Sequence, residues 1–299
     1  MANLRDIKRR IVSIQNTQKI TSAMKMVAAA KLRRAQRAVE AARPYSASMK
    51  RTLQEVAARE RDSQNPLLEV RERVERVGVV VVASDRGLAG AFNNQVLKQA
   101  ERFIAQREAA GQQARLTLVG RRAGDFFRRR RPGQITVDEL TGPRISYPQA
   151  ARIAGHLIRA YEAGEIDEAW LVFNRFVTAM TQRSNTVPLL PIAPAEGSPD
   201  SPQSPDSRDA GSTLEPQTIE PNAQKLLARL APKAVEVEIF QALLENQAGE
   251  HAARMAAMES ATKNTEDLID RLTLDFNRAR QAAITRELVE IVTGAQALE

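Results

Sequence analysis

The side chains that most often carry chemistry are scarce in this sequence. Its 299 residues include two histidines, His156 and His251, and no cysteine, which excludes disulfides, thiolate metal sites and thiol switches. His251 falls on the apolar seam of a predicted helix, and no His, Cys or carboxylate cluster lies near it at the spacing of metal ligands. No Ser/His/Asp arrangement and no carboxylate pair that could act in catalysis is recognisable either. We therefore expect no catalytic residue, no metal site and no cofactor.

Two other segments invite a chemical interpretation. The run SDRGLAGAFNN, residues 84–94, lies between a strand-like and a helical run, where phosphate-binding loops occur. It lacks the glycine spacing of nucleotide-binding motifs, so we interpret it as a tight turn in which Asp85 or Asn93 caps backbone amides. The run FFRRRRPG, residues 126–133, could contact phosphate, but few stacking aromatics accompany it. A solvated turn is the favoured interpretation, and we expect neither a small-molecule substrate nor a nucleic acid.

Positive charge is concentrated at the start of the chain. The net charge is +8, whereas residues 1–61 alone hold fifteen Lys or Arg against four acidic residues. Such a surface either keeps the protein soluble or faces an acidic partner. A single exposed ion pair contributes about 0–1 kcal/mol, but many cations along one helix generate a field that steers and orients a partner.

Both chain ends have the pattern of long helices. An apolar 3-4 spacing over the first 56 residues predicts a helix roughly 80 Å long, kinked or frayed at Pro44. Its seam comprises Leu4, Ile7, Ile11, Ile14, Gln18, Thr21, Lys25, Ala28, Leu32, Ala35, Val39, Ala42, Ser46, Met49, Leu53 and Val56.

The second helix is predicted over about residues 223–297, broken or bent at Pro232. Two such ends favour an antiparallel coiled coil in which the C-terminal helix projects past the first. Its seam comprises Phe240, Leu244, His251, Met255, Met258, Thr262, Thr265, Ile269, Leu272, Phe276, Ala279 and Ala283, followed by a second phase with Leu288, Ile291, Ala295 and Leu298.

The seam is thin between Gln18 and Ala28. A buried Leu contributes about 1.5–3 kcal/mol, and Ala or Thr far less, so stability alone would not select these residues. Small seam residues let the backbones of two helices approach closely. The resulting helix pair is thin, which is useful if it has to fit inside another structure.

The middle of the chain predicts a small α/β domain. Buried-strand runs near residues 76–85, 114–120 and 168–177 alternate with helical runs, and Pro188 and Pro191 confine a further strand to an edge. The predicted fold is thus an antiparallel coiled coil of terminal helices with a Rossmann-like α/β domain inserted between them. The predicted parts are the helix 1–61, the α/β domain 70–192, a Pro/Ser/Asp-rich mobile linker 193–221 and the helix 222–299.

No signal peptide or membrane-spanning run is recognisable, which favours a cytosolic protein or one on a cytosolic membrane face. At this point four segments closely resemble the gamma subunit family of the rotary ATP synthase. They lie at both ends of the chain and at the turn after the first strand, in the family's order, and the resemblance extends over most of the chain. The segments are NTQKITSAMKMVAAAKLRRAQ (16–36), SDRGLAGAFNN (84–94), AARMAAMESATKNTEDLI (252–269) and FNRARQAAITRELVEIVTGA (276–295).

The resemblance implies a non-catalytic rotor subunit, a peripheral membrane protein on the cytoplasmic face of a bacterial plasma membrane. Its implied partners are the alpha and beta subunits of the catalytic hexamer, the epsilon subunit and the membrane c-ring, whose proton-driven rotation it couples to ATP synthesis and hydrolysis. The alternative from the residues alone is a basic coiled-coil adaptor or a nucleic-acid-binding rod.

The resemblance also assigns contact residues. Contacts to the beta subunits are implied for Met24, Lys25, Arg280, Gln281, Thr285 and Glu287. The C-terminal tip, with Leu288, Ile291 and Val292, matches the part that enters the apolar sleeve of the hexamer, and Ile219, Glu220 and Pro221 match the foot on the membrane ring. Residues 193–213 have no counterpart in the family pattern, and the cysteine pair of the light-regulated chloroplast form is absent.

Overall fold

The computed structural model describes residues 4–59, 65–192 and 223–296. The predicted linker 193–221 lies outside them, as do Ile219, Glu220 and Pro221. The elements in chain order are α1 (Leu4–Arg59), β1 (Arg76–Val82), α2 (Phe92–Ala109), β2 (Gln113–Val119), α3 (Arg121–Arg130), a 3-10 turn (Pro132–Gln134), β3 (Ile135–Glu139), α4 (Tyr147–Glu162), β4 (Glu168–Phe176), β5 (Gln182–Leu190) and α5 (Ala223–Gln296).

Internal contacts divide the chain into two compact units. The helical unit comprises Met1–Lys31, Leu88–Gly90 and His251–Glu299, and the sheet unit comprises Leu32–Gly87 and Ala91–Glu250. Each long helix therefore contributes one segment to each unit.

The sheet of the sheet unit has five strands in the order β3-β2-β1-β4-β5. The first four are parallel, and β5 pairs antiparallel with β4 at the edge. The mainly parallel sheet and the edge strand are confirmed. Strand β3 was missed, because its residues alternate between half-buried and exposed and follow Arg, Pro and Gly residues that are typical of a turn.

Apolar layers cover both faces of this sheet. Val77, Val79 and Val81 of β1 pack with α2 and α3. Val80 and Val82 point the other way, toward α4 and the sheet-unit segments of α1 and α5. A strand buried on both faces reads as a continuous apolar run, which is why β1 was recognisable in the sequence.

Polar side chains close the carboxyl edge of the sheet. Asp85 accepts hydrogen bonds from the backbone N–H groups of Arg121, Thr141 and Gly142 at 2.9, 3.1 and 2.8 Å, and Asn93 accepts the N–H of Ser84 at 3.0 Å. The interpretation of residues 84–94 as a capped turn is therefore confirmed.

Helix α5 also packs against this edge. The Asn246 side-chain amide donates to the Ala83 carbonyl at 3.3 Å. A Cβ at Gly249 would lie 2.8 Å from Cε2 of Phe92, so the absence of a side chain there allows the close approach.

The predicted seam of α1 is confirmed, since none of its sixteen residues is exposed. Neither helix ends at its proline, since α1 runs through Pro44 and α5 through Pro232. A break at Pro232 is therefore excluded, and a kink at Pro44 or a bend at Pro232 stays a prediction. Pro44 is exposed, so the carbonyl that its ring leaves unbonded can be hydrated. Within residues 4–59, 65–192 and 223–296, no helix is long and apolar enough to cross a bilayer.

Candidate partner-binding surface of the helical unit

Polar pairs join α1 and α5 within the helical unit. The Thr262 hydroxyl donates to the Thr21 hydroxyl at 2.9 Å, and the Thr21 hydroxyl donates to the Gln18 carbonyl at 3.0 Å. One turn away, Nζ of Lys25 lies 2.8 Å from Oε1 of Glu259. Residue numbers rise on α1 as they fall on α5, so the segments are antiparallel, as predicted.

His251 is a half-buried member of this seam. Burial lowers its pKa to about 4, and the positive charges of Arg254 and Lys31 add to the effect. The imidazole is therefore neutral at pH 7, with Nδ1 3.4 Å from Nη1 of Arg254. The prediction of a packed or partner-bonded histidine is confirmed.

Helix α5 extends beyond the start of α1. Counting from the Thr21–Thr262 pair, the first helical residue of α1, Leu4, lies level with about residue 279 of α5. Residues 280–289 and 291–293 are all exposed. The projection of α5 is confirmed, but the predicted seam positions Ala283, Leu288 and Ile291 are exposed, because no α1 residue lies opposite them.

The helical unit exposes an unusual number of large apolar side chains. On α1, Ile20, Met26 and Val27 are 60%, 66% and 55% exposed. Scattered exposed apolar residues are normal, but a concentration marks an interaction site. The further members are Val12, Leu268, Leu274, Ile284, Leu288, Val289, Ile291 and Val292.

Sequence reasoning missed the α1 part of this surface because it followed a single apolar stripe. A signal was present, since Ile20 and Val27 are seven residues apart and off the seam. A second apolar stripe at heptad spacing on a helix that already has a partner indicates a second partner.

The predicted contact residues fall into two groups. Met24 and Lys25 are half-buried on α1, and Lys25 is paired with Glu259. The other group lies on the projecting part of α5, where every member is exposed and the Thr285 hydroxyl donates to the Gln281 carbonyl at 3.0 Å. This group is Arg280, Gln281, Thr285, Glu287, Leu288, Ile291 and Val292.

The arginine run is solvated at Arg128–Arg130, as expected, but these residues belong to a helix and not to a turn. Arg128–Arg130 end helix α3, and the Arg131 side chain, 15% exposed, forms ion pairs with Glu101 and Glu108 of α2. Arg130 stacks on Phe126 at 3.9 Å. Several of these cations thus have structural roles.

No group of three or more His, Cys, Asp or Glu that could hold a metal ion occurs in the part of the chain that the structure describes. The arrangement in the helical unit is therefore one of apolar and cationic surface around a narrow seam, which suits contact with other macromolecules.

Comparisons with known proteins agree with this arrangement. The sequence profile of the family described as ATP synthase matches residues 3–298. The chain is 46% identical to the ATP synthase gamma chain of Pelotomaculum thermopropionicum over 300 residues, and 44% identical to that of Geobacter metallireducens over 300 residues; in both cases all of each chain is covered.

Two solved structures have a similar fold. A chain of the Euglena gracilis mitochondrial ATP synthase superposes with a TM-score of 0.65 and 19% identity, covering 99% of this chain and 94% of that one. A chain of the Tetrahymena thermophila central stalk and c-ring structure gives 0.62 at 22% identity, covering 81% and 99%.

Proposed function

The chain belongs to the gamma chain family of ATP synthase, the non-catalytic central-stalk subunit, and from this membership we propose that it is a rotor shaft. It couples the rotation of a proton-driven membrane ring to ATP synthesis and hydrolysis in a hexamer of alpha and beta subunits. The observation that carries this proposal is the exposed apolar and cationic surface of the helical unit. The packing of α1 against α5 along their seam does not involve that surface, so it is available to a partner.

The narrow seam supports the same conclusion. The hydroxyl oxygens of Thr21 and Thr262 are 2.9 Å apart across the seam, and Ala28 on the same stripe of α1 is buried. These side chains are small, so they permit a close approach of the two helices. A shaft that turns inside a ring must be slim, and it must make many moderate contacts of similar strength at each angle. One contact with a much more favourable free energy than the others would hold the shaft at one angle and act as a barrier to rotation.

Beta-subunit contacts are proposed at two places. Met24 and Lys25 face an acidic lever of the beta subunit, where the excess of cations on α1 supplies electrostatic complementarity. Arg280, Gln281, Thr285 and Glu287 meet further beta-subunit loops, which is consistent with their exposure on the projecting part of α5. Lys25 would then exchange or share its bond with Glu259 during rotation.

The tip of α5 is proposed to turn in an apolar sleeve at the top of the hexamer. Leu288, Ile291 and Val292 are all exposed in the isolated chain. Fully burying such a side chain contributes about 1.5–3 kcal/mol, and because the contact is non-directional it holds the tip on the axis without fixing an angle.

The remaining proposed partners are the epsilon subunit and the membrane c-ring. The epsilon subunit lies beside the α/β domain 70–192, and the c-ring contacts Ile219, Glu220 and Pro221, the last three residues of the linker 193–221. The protein would thereby be held as a peripheral subunit at the cytoplasmic face of the plasma membrane. The shaft itself consists of 1–61 and 222–299.

A nucleic-acid-binding rod or coiled-coil adaptor is not favoured, since the relatives match over their full length as gamma chains. The proposal is tested by affinity purification of the tagged chain from membranes. It should bring down alpha and beta subunits with Mg-dependent ATPase activity. Recovery of the chain without them, or with nucleic acid in a salt-sensitive complex, would contradict the proposal.

A further inference from the structure

One backbone residue of the sheet unit is held by both long helices. Phe176 is the last residue of β4. Its N–H donates to Oε2 of Glu245 on α5 at 3.2 Å, and its carbonyl accepts from Nη2 of Arg43 on α1 at 3.1 Å. Arg43 and Glu245 also form an ion pair with each other, with Nη2 of Arg43 3.7 Å from Oε1 of Glu245. We call Arg43, Glu245 and the Phe176 backbone the Phe176 clamp.

The two charged members of the clamp differ in burial. The Glu245 side chain is 8% exposed and that of Arg43 is 49% exposed. Both carboxylate oxygens of Glu245 have partners, since Oε1 also accepts from Nε2 of Gln241 at 2.9 Å. A buried carboxylate is retained only with such partners, because an unpaired buried charge is strongly destabilising. The position of Glu245 is therefore well determined.

A second group of charges lies one heptad along the same two helices. Lys50 follows Arg43 by seven residues, and Glu238 precedes Glu245 by seven. Burial raises the pKa of Glu238, as does the charge of Glu245, whereas Lys50 and Arg175 of β4 lower it. Arg175 is the strand neighbour of Phe176, so this second group has charges from α1, α5 and β4, whereas β4 contributes only backbone groups to the clamp.

The other contacts between these elements are of a different kind. Leu53 and Val56 of α1 and Val235, Ile239 and Leu243 of α5 belong to one apolar cluster with the sheet. Apolar contact is non-directional and resists separation more than sliding. Hydrogen bonds involving charged groups have a defined geometry and are among the strongest, so the clamp supplies the directional part of the joint.

We propose that the Phe176 clamp is a torque-transmitting joint, which makes Glu245 and Arg43 positioning residues for rotary coupling. It fixes the end of β4 to both helices at once, so that a force turning the sheet turns the pair of helices by the same angle. This inference rests on the function proposed above.

The test uses the assembled ATP synthase in inverted membrane vesicles, with ATP hydrolysis and ATP-driven proton uptake measured on the same sample. Glu245→Leu removes the charge and the acceptor, and Arg43→Met removes the donor. Each should lower the number of protons taken up per ATP at least twofold. Glu245→Gln, which keeps an acceptor for the Phe176 N–H, should have a smaller effect.

The matched control is Arg115→Gln, which breaks an exposed ion pair of 3.0 Å with Glu165 in the same unit without involving either long helix. Its proton-to-ATP ratio should equal that of the wild type. The double variant Arg43→Met/Glu245→Leu should be no worse than the worse single variant, because both remove one joint.

A merely structural clamp would lower the yield of assembled complex and leave the ratio per assembled complex unchanged, which would overturn the proposal. If the Leu variant does not assemble, the ratio of the Arg43→Met complex decides, because Arg43 is 49% exposed and its loss leaves Glu245 bonded to the Phe176 N–H. A lowered proton-to-ATP ratio in that assembled complex supports the joint, and a wild-type ratio contradicts it. Failure of the proposed function itself would appear as wild-type vesicles without coupled uptake.

Discussion

The carboxylate of Asp85 organises the carboxyl edge of the sheet. Burial alone would raise its pKa, but the N–H groups of Arg121, Gly142 and Thr141, with the Thr141 side chain, outweigh burial and hold the pKa below its ordinary value of 3.8. A depressed folded-state pKa means that the ionised form stabilises the fold. That stability is complete above pH 3.8 and is lost as the pH falls through the folded-state value.

We predict that Asp85→Ala lowers the free energy of unfolding by about 1–3 kcal/mol at pH 7, because backbone donors lose a charged acceptor. The difference from wild type should shrink as the pH falls below 3.8. Urea unfolding followed by circular dichroism at pH 7 and pH 3 measures it. Asp125→Ala, an exposed acid on α3, is the control, and an equal effect of the two variants would contradict the assignment.

His251 should make the chain sensitive to mild acid. Its pKa is lowered from 6.5 to about 4 in the fold, so between these values the unfolded chain takes up a proton that the folded chain does not. Stability therefore falls as the pH decreases from 6.5 to 4. We predict that His251→Gln loses less stability than wild type between pH 7 and pH 5 in chemical unfolding; identical losses would exclude this role of His251.

The helices and strands were predictable to the extent that burial leaves a periodic pattern. The α1 seam and the continuous apolar run of β1 were recognisable because one face, or both faces, are covered. Strand β3 lies at an edge and carries a mixed pattern, so nothing distinguished it from a turn. Neither Pro44 nor Pro232 ends its helix, because tertiary packing of a long helix outweighs the cost of one missing hydrogen bond.

A matched pair of glycines tests the packing of α5. Gly249→Ala places a Cβ 2.8 Å from Phe92 and 3.3 Å from Gln182, so we predict a loss of about 1–3 kcal/mol. Gly155→Ala in α4 meets only the flexible end of Arg159 at 3.3 Å and should gain up to about 1 kcal/mol from helix propensity. Thermal unfolding measures both, and a stabilised Gly249→Ala variant would show that the contact can relax.

The proposed function depends on exposed surfaces of the helices, which limits what sequence alone can reveal. The cation excess and the projection of α5 followed from counting residues and comparing helix lengths. The exposed apolar side chains of Ile20, Met26 and Val27 were not predicted. The sequence of a residue off the seam is the same whether its side chain is exposed to solvent or contacts a partner. The exposed fraction in the folded chain is what separates these cases.

The contact assignment on α5 is open to direct measurement. We predict that Arg280→Ala or Gln281→Ala lowers coupled ATP turnover of the assembled complex about tenfold, the effect of losing about 1.4 kcal/mol. Helix content of the isolated chain should not change, since both side chains are exposed. Arg278→Ala, an exposed cation two residues away, should retain wild-type turnover. Equal turnover in all three variants would contradict the assignment.

The projecting part of α5 also has a consequence for the life of the chain before assembly. From residue 280 onward it is a single helix about as long as the shortest that persist in water, and it has no companion among the described residues of α1. In the complex of the proposed function this end lies inside the hexamer, whereas a copy that has not yet assembled exposes it. We therefore expect proteolysis at the C-terminal end of α5 to be faster in the unassembled chain than in the assembled one.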